Sequence, residues 1–225
     1  MAVVTGTDNP ATLSGTDADD TIFGLAGDDI IEGGGGFDLA AYWTSPFAIS
    51  VRLFAGVTDN DGFGGRDTLN NIEGVAGTAF DGVIYSTDLG NYVQGVGGND
   101  TVVAFGGDDI IRVAEGDDFV DGGSGTDRLF FIASRADHTV TAIPGGFRIV
   151  DNVPNRYGTD TVLDVELLQF ANTQLTADQE RPVWHLRQII CDDQDFNEWF
   201  FEGEIDFDRS RDLGRPVLDL LRFGS

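Results

Sequence analysis

Lysine is absent from this 225-residue chain, and its 13 basic residues are all arginine, set against 39 acidic ones for a formal net charge of −26. Without lysine there is no phosphate-binding P-loop. Without a cationic surplus there is nothing to hold the phosphates of nucleic acid or the headgroups of anionic lipid, so neither is a partner. Cys191 is the single cysteine, which excludes an internal disulfide. The two histidines, His138 and His185, do not fall in the His-Glu-x-x-His spacing of zinc proteases, and Ser124 lies outside the Gly-x-Ser-x-Gly frame of a nucleophile elbow. Each histidine reads as a surface residue and Cys191 as a small buried apolar one. The start, Met1-Ala2-Val3-Val4-Thr5-Gly6, lacks the basic and apolar regions of a Sec signal peptide, and no apolar run is long enough for a membrane span. No motif for catalysis remains, and the chain reads as a non-enzyme.

What the chain has instead is glycine, 31 residues of it, and a period. Seven aspartates recur at intervals of nine in two blocks: Asp20, Asp29 and Asp38, then Asp100, Asp109, Asp118 and Asp127. Written as G-G-x-G-x-D-x-U-x, with U a large apolar residue, the period is met in full by Gly122-Gly123-Ser124-Gly125-Thr126-Asp127-Arg128-Leu129-Phe130. Gly33-Gly34-Gly35-Gly36-Phe37-Asp38-Leu39-Ala40-Ala41 meets it too, with Ala40 small for its place. The U positions are Ile22, Ile31 and Ala40 in the first block and Ile84, Val93, Val102, Ile111, Val120 and Leu129 in the second.

Such a period dictates a shape. Three residues such as Thr101-Val102-Val103 make a minimal strand whose middle side chain points inward, and the other six turn the chain through glycines that accept positive φ. Two nonapeptides then close one coil, and residues eighteen apart stack about 4.8 Å from each other. This stacks Asp20 with Asp38, Asn91 with Asp109, Asp100 with Asp118 and Asp109 with Asp127, with Asp29 on the opposite side of the first block. Carboxylates and turn carbonyls in that arrangement form an oxygen-only cage suited to calcium, which binds oxygen at about 2.3–2.6 Å. An isolated Gly-Asp turn is ordinary loop chemistry. Seven in phase with an aliphatic position are not.

From residue 15 to residue 130, with one interruption, the chain resembles the RTX family of haemolysin-type calcium-binding repeats, whose nonapeptides build a parallel β-helix with calcium between the turns. The resemblance implies several bound calcium ions. Their ligands would come from Asp20, Asp29, Asp38, Asn91, Asp100, Asp109, Asp118 and Asp127. The best-formed turns are those of Asp100, Asp109, Asp118 and Asp127. Departures weaken others: Gly82 and Asn91 stand at the aspartate place, Ala104 and Val113 at the first glycine, and Ser86, Thr87 and Leu89 replace the glycines of the Asn91 turn. RTX proteins leave Gram-negative bacteria through a type I channel guided by an uncleaved C-terminal signal, so the resemblance further implies a secreted, extracellular protein. Low cytosolic calcium keeps such a chain unfolded for transit, and external calcium folds it.

The expected fold is all-β: a parallel β-roll in two tandem blocks with β-rich capping segments and a short C-terminal tail. Gly65-Arg66-Asp67-Thr68-Leu69-Asn70-Asn71-Ile72-Glu73 returns ninety-three residues later as Gly158-Thr159-Asp160-Thr161-Val162-Leu163-Asp164-Val165-Glu166. This divides the chain into a lead-in (1–14), a first block with its β-rich segment (15–76), a second block with its capping segment (77–171) and the tail (172–225). The strand-like stretches 49–53 and 138–143 open the β-rich segments. In the tail, Val183, Leu186, Ile189 and Ile190, and again Val217, Leu220 and Leu221, have helical spacing and predict two short helices. The tail is also where a type I secretion signal is expected. Asp59-Asn60-Asp61-Gly62 fails the EF-hand pattern, since Val57 and Thr68 stand where its end carboxylates belong, and reads as a solvated turn. An alternative function is a carbohydrate-binding accessory module similar to the R-modules of alginate epimerases. Tyr42, Trp43 and Tyr92 would stack on a polysaccharide. A hydrolase using scattered carboxylates ranks below both.

Overall fold

The computed structural model describes residues 1–171 in full and, beyond them, the backbone of four strands, Thr173–Ala177, Val183–Cys191, Glu198–Asp206 and Leu218–Gly224. No α-helix occurs among the described residues, so no helix there could cross a membrane. Strands β1 (Val3–Thr5), β2 (Thr12–Ser14), β3 (Thr21–Phe23), β4 (Ile30–Glu32) and β5 (Leu39–Ala41) alternate between two sheets, β1, β3 and β5 in one and β2 and β4 in the other. Pairing is parallel and the register is eighteen, Val4 beside Ile22 and Leu13 beside Ile31. The nonapeptide period therefore becomes a flattened two-sheet coil, as expected.

The second block repeats this with β10 (Val83–Tyr85), β11 (Tyr92–Gln94), β12 (Thr101–Val103), β13 (Ile110–Arg112), β14 (Phe119–Asp121) and β15 (Arg128–Phe130). Between the blocks the chain detours through β6 (Ser50–Arg52) and β7 (Val57–Asn60), then re-enters the coil with β8 (Thr68–Asn70), parallel to β4, and β9 (Gly74–Ala76), parallel to β5. After the second block an antiparallel hairpin, β16 (His138–Ile143) with β17 (Gly146–Asp151), does the same, and β18 (Thr159–Leu163) and β19 (Leu167–Phe170) re-enter beside β14 and β15. The two blocks share both sheets, because β10 pairs with β6 and β11 with β9.

The core is two aliphatic files, one per sheet. Ile22, Ala40, Val75, Val93, Ile111, Leu129 and Leu168 succeed each other in one, and Val51, Ile84, Val102, Val120 and Val162 in the other, all essentially inaccessible to solvent. Each of these valine, leucine and isoleucine side chains contributes about 1.5–3 kcal/mol by leaving water.

Three expectations are corrected. The tail segments read as helical are strands: β21 (Val183–Cys191) pairs antiparallel with β20 (Thr173–Ala177) and β22 (Glu198–Asp206), and β23 (Leu218–Gly224) pairs with β22. The helical spacing there rested on three or four positions, and the β-branched and aromatic residues Val183, Trp184, Ile189 and Ile190 favour extended backbone. Tail side chains, including His185 and Cys191, and with them the expected secretion signal, lie outside the described residues. His138 is no surface residue: it is buried between Phe131 and Phe170, with Nδ1 2.9 Å from the Ser134 carbonyl. Tyr42 is also buried, with its hydroxyl donating to Asp67 Oδ2 at 3.0 Å, so it offers no stacking face, while Trp43 stays 44% exposed.

Candidate metal column

The turns before each strand place the recurring aspartates in two columns. In each, the carboxylate turns inward and one oxygen accepts the backbone N–H of the equivalent residue one coil earlier. Beside the first sheet, Ala2 donates to Asp20, Asp20 to Asp38 Oδ1 at 2.8 Å, Asn91 to Asp109 Oδ1 at 2.6 Å and Asp109 to Asp127 Oδ1 at 2.9 Å. Beside the second, Ala11 donates to Asp29 Oδ1 at 2.8 Å, Gly82 to Asp100 Oδ1 at 2.7 Å and Asp100 to Asp118 Oδ1 at 2.8 Å. The stacked pairs expected from the period are thus adjacent in space, and Asp29 stands on the other side of the coil from Asp20 and Asp38.

Four acidic residues outside the period complete the columns. Asp29 donates to Asp67 Oδ1 and Asp118 to Asp160 Oδ1, both at 3.1 Å, while Asp38 donates to Glu73 Oε2 at 2.9 Å and Asp127 to Glu166 Oε2 at 2.8 Å. The signal was present in the sequence as the repeated nine-residue segment, which carries Asp third and Glu ninth in both copies. A second, outer ladder runs the opposite way. Its acceptors are the residues just before the site positions: Asp19 accepts from Phe37, Asp28 from Arg66, Asp81 from Asn99, Asn99 from Asp117, Asp108 from Thr126 and Asp117 from Thr159.

The second carboxylate oxygen behaves differently. Oδ2 of Asp29, Asp38, Asp100, Asp109, Asp118 and Asp127 is buried and has no hydrogen-bond partner. In the four of these turns that begin with glycine it folds back over that residue: a Cβ on Gly33 would stand 2.6 Å from Asp38 Oδ2, and one on Gly122 2.8 Å from Asp127 Oδ2. Desolvation pushes these acids toward their neutral form. Asp100 and Asp160 are raised to about 8, Asp109 and Asp118 to about 7, Asp127 and Asp67 to about 6, and Asp29 and Asp38 also rise. Asp20 is lowered instead, by the Ala2 amide and the Thr16 hydroxyl. Buried carboxylate oxygens without hydrogen-bond partners, in two files, fit a hard cation.

The chain matches the family of RTX calcium-binding nonapeptide repeats, 4 copies, over residues 5–40, 85–120 and 94–129. The matched segments fall in both blocks of the coil and carry the recurring aspartates. RTX nonapeptide repeats bind calcium ions. RTX repeats typify secreted proteins of Gram-negative bacteria. Among solved structures, the chain is similar to the extracellular lipase LipA from Serratia marcescens, at 16% identity and a TM-score of 0.20, over 72% of this chain and 38% of the lipase chain. None of the curated proteins matches it.

Calcium fits the residues present. Among the described residues no three His, Cys, Asp or Glu side chains cluster closely enough to hold a metal by themselves. An RTX site on this chain must therefore complete its shell with turn carbonyls, which calcium accepts as readily as carboxylate.

Proposed function

We propose that this RTX protein is a secreted, non-catalytic calcium module in which loading and folding are one event. The observation that carries this reading is the set of six buried, unpartnered Oδ2 atoms on Asp29, Asp38, Asp100, Asp109, Asp118 and Asp127. Taking several anionic oxygens out of water with no cation beside them costs several kcal/mol each, far beyond the margin of a small fold. Bound calcium supplies the missing positive charge. Asp20, Asp29, Asp38, Asp100, Asp109, Asp118 and Asp127 are the carboxylate ligands on this reading, Asn91 gives an uncharged oxygen, and Asp67, Asp160, Glu73 and Glu166 close the columns. The two blocks, 15–76 and 77–171, are joined through continuous sheets.

Calcium sites of extracellular modules have dissociation constants of about 10⁻⁴–10⁻³ M, so the chain is unfolded in a cytosol poor in calcium and folded outside. That difference supports transit through a type I channel, with the C-terminal tail as the signal. Circular dichroism with and without millimolar calcium tests the reading. The expected result is an unfolded spectrum in EDTA that turns to β on adding calcium; a β spectrum that EDTA leaves unchanged overturns it.

A second reading, attachment to a polysaccharide, keeps one favouring observation: Trp43 is half-exposed, with Phe23 edge-on at 5.1 Å to brace it. Glycan-array binding lost on Trp43→Ala, with calcium response intact, would support it.

A further inference from the structure

Asp61 lies in the loop between β7 and β8, outside the nonapeptide period, and was expected to be solvated. It is completely buried. Its Oδ1 accepts three amides, from Phe63 at 2.7 Å and from Gly64 and Gly65 at 2.8 Å. Those bonds hold the carboxylate in one orientation, and its other oxygen, Oδ2, is buried without a partner. Oδ2 and the carbonyl oxygen of Gly27 flank the same space over Gly65, where a Cβ would stand 2.7 Å from the carboxylate oxygen.

Gly27 belongs to the turn of Asp29, whose own Oδ2 is also buried and unpartnered. Above Gly24, at the start of that turn, Asp29 Oδ2 and Asp67 Oδ2 lie 2.9 and 3.4 Å from the place of a Cβ. Asp29, Asp61 and Asp67 are close enough to repel one another, and all three act on Tyr42. The nearest arginine in sequence, Arg66, is 62% exposed and turned to Asp59 at 3.1 Å. Asp61 Oδ2 thus faces the Gly27 carbonyl at one end of the Asp29 turn, and Asp29 Oδ2 and Asp67 Oδ2 face each other over Gly24 at the other.

We propose that Asp61 makes the β7–β8 loop a calcium site outside the repeat, with the ion held by Asp61 Oδ2, Asp29 Oδ2 and the Gly27 carbonyl, and with Asp67 beside it. The chemistry is that of a hard divalent cation, with oxygen donors only. This extends the calcium reading above but does not follow from the repeat, because no period places Asp61. The counterpart loop of the second block has Pro154 at the corresponding distance before Asp160, and its buried carboxylate, Asp151, is paired with Arg156.

The test is an ion count on wild-type protein and on Asp61→Asn in saturating calcium, by elemental analysis after desalting into a fixed free-calcium buffer. Asparagine keeps an Oδ1 acceptor for the three loop amides and removes only the charge. The expected result is one calcium ion fewer per chain with the β spectrum retained; an unchanged count in a folded variant overturns the proposal. Should Asp61→Asn fail to fold, anomalous scattering from calcium in wild-type crystals decides. Density between Asp61 and Asp29 supports the site. Ions in the repeat turns with none at Asp61 overturn this proposal alone, and no ions anywhere overturn the calcium reading as well.

Discussion

The loop before Asp67 and the loop before Asp160 occupy the same place in two copies of one design and balance charge in opposite ways. In the second block, Arg156 grips Asp151 through Nε at 2.6 Å and Nη2 at 2.7 Å and reaches Asp137 at 3.2 Å, so the detour neutralises itself. Asp151 is held down to about 2 by this arginine. In the first block, Arg52 and Arg66 gather on exposed Asp59 at the surface, and the buried Asp61 is left without a cation among its contacts. The columns differ in the reverse sense. Asp100, Asp109 and Asp118 of the second block are raised to about 7 or 8 by burial, while in the first block Asp29 and Asp38 rise and Asp20 is lowered by the Ala2 amide and the Thr16 hydroxyl. Block two concentrates its need for metal in the stack, and block one carries part of its own in a loop.

Chelation is the strongest way to break this comparison. Hydrogen exchange read by mass spectrometry under limiting EDTA should show protection lost first over β12, β13 and β14, and later over β3 and β4. Simultaneous loss would mean that the deeper carboxylates set no order. Next in size, Ile111→Ala opens a hole in a file with no slack and should cost about 2–5 kcal/mol in urea unfolding of the calcium-loaded protein. The corresponding place in block one is already occupied by Ala40, buried like Ile111.

The effect of pH has a definite sign. An acid whose folded-state value is raised favours folding when protonated, so its contribution is fully present below about pH 4 and is lost as pH climbs to the raised value. With Asp100 and Asp160 at about 8 and Asp109 and Asp118 at about 7, metal-free protein should gain structure between pH 8 and pH 5. Calcium-loaded protein should lose ions over the same interval, because protons compete for the same oxygens. Circular dichroism of both forms across that range checks the crossing. The smallest effect belongs to the backbone. Val96 adopts φ +82 at a turn position where Gly34 and Gly123 take +103 and +87, and a β-branched residue there is strained. Val96→Gly should raise the melting stability by about 1 kcal/mol, and Leu25→Gly, relieving an unbranched residue at φ +67, by less.

The constant spacing of nine disclosed both aliphatic files and the stacked aspartates, because a coil without insertions turns sequence distance directly into height. Where the chain leaves the coil that conversion fails. Asp29 meets Asp67 across 38 residues and Asp118 meets Asp160 across 42, instead of 18, since each detour adds a different length before the coil resumes. Asp67, Asp160, Glu73 and Glu166 were visible only as a repeated segment with no assigned role. Asp61 was harder still: its environment is made by Gly27, Asp29 and Tyr42, which are remote in sequence, and a local pattern of Asp, Asn and Gly carries no trace of burial. Tyr42 and His138 were misread for the same reason, since long-range packing decides the exposure of an aromatic ring.

In the inner ladder, each site amide finds its acceptor in the coil that follows it in the chain, Ala2 in Asp20, Asp20 in Asp38, Asp38 in Glu73. The stack therefore has a polarity. Trimming coils from the front strands a carboxylate that water can still solvate, whereas trimming from the back leaves an inward-facing N–H with nothing to bind. A polypeptide delivered tail-first would present each inner-ladder acceptor ahead of its donor, so that each newly arriving turn could latch at once onto the one already in place.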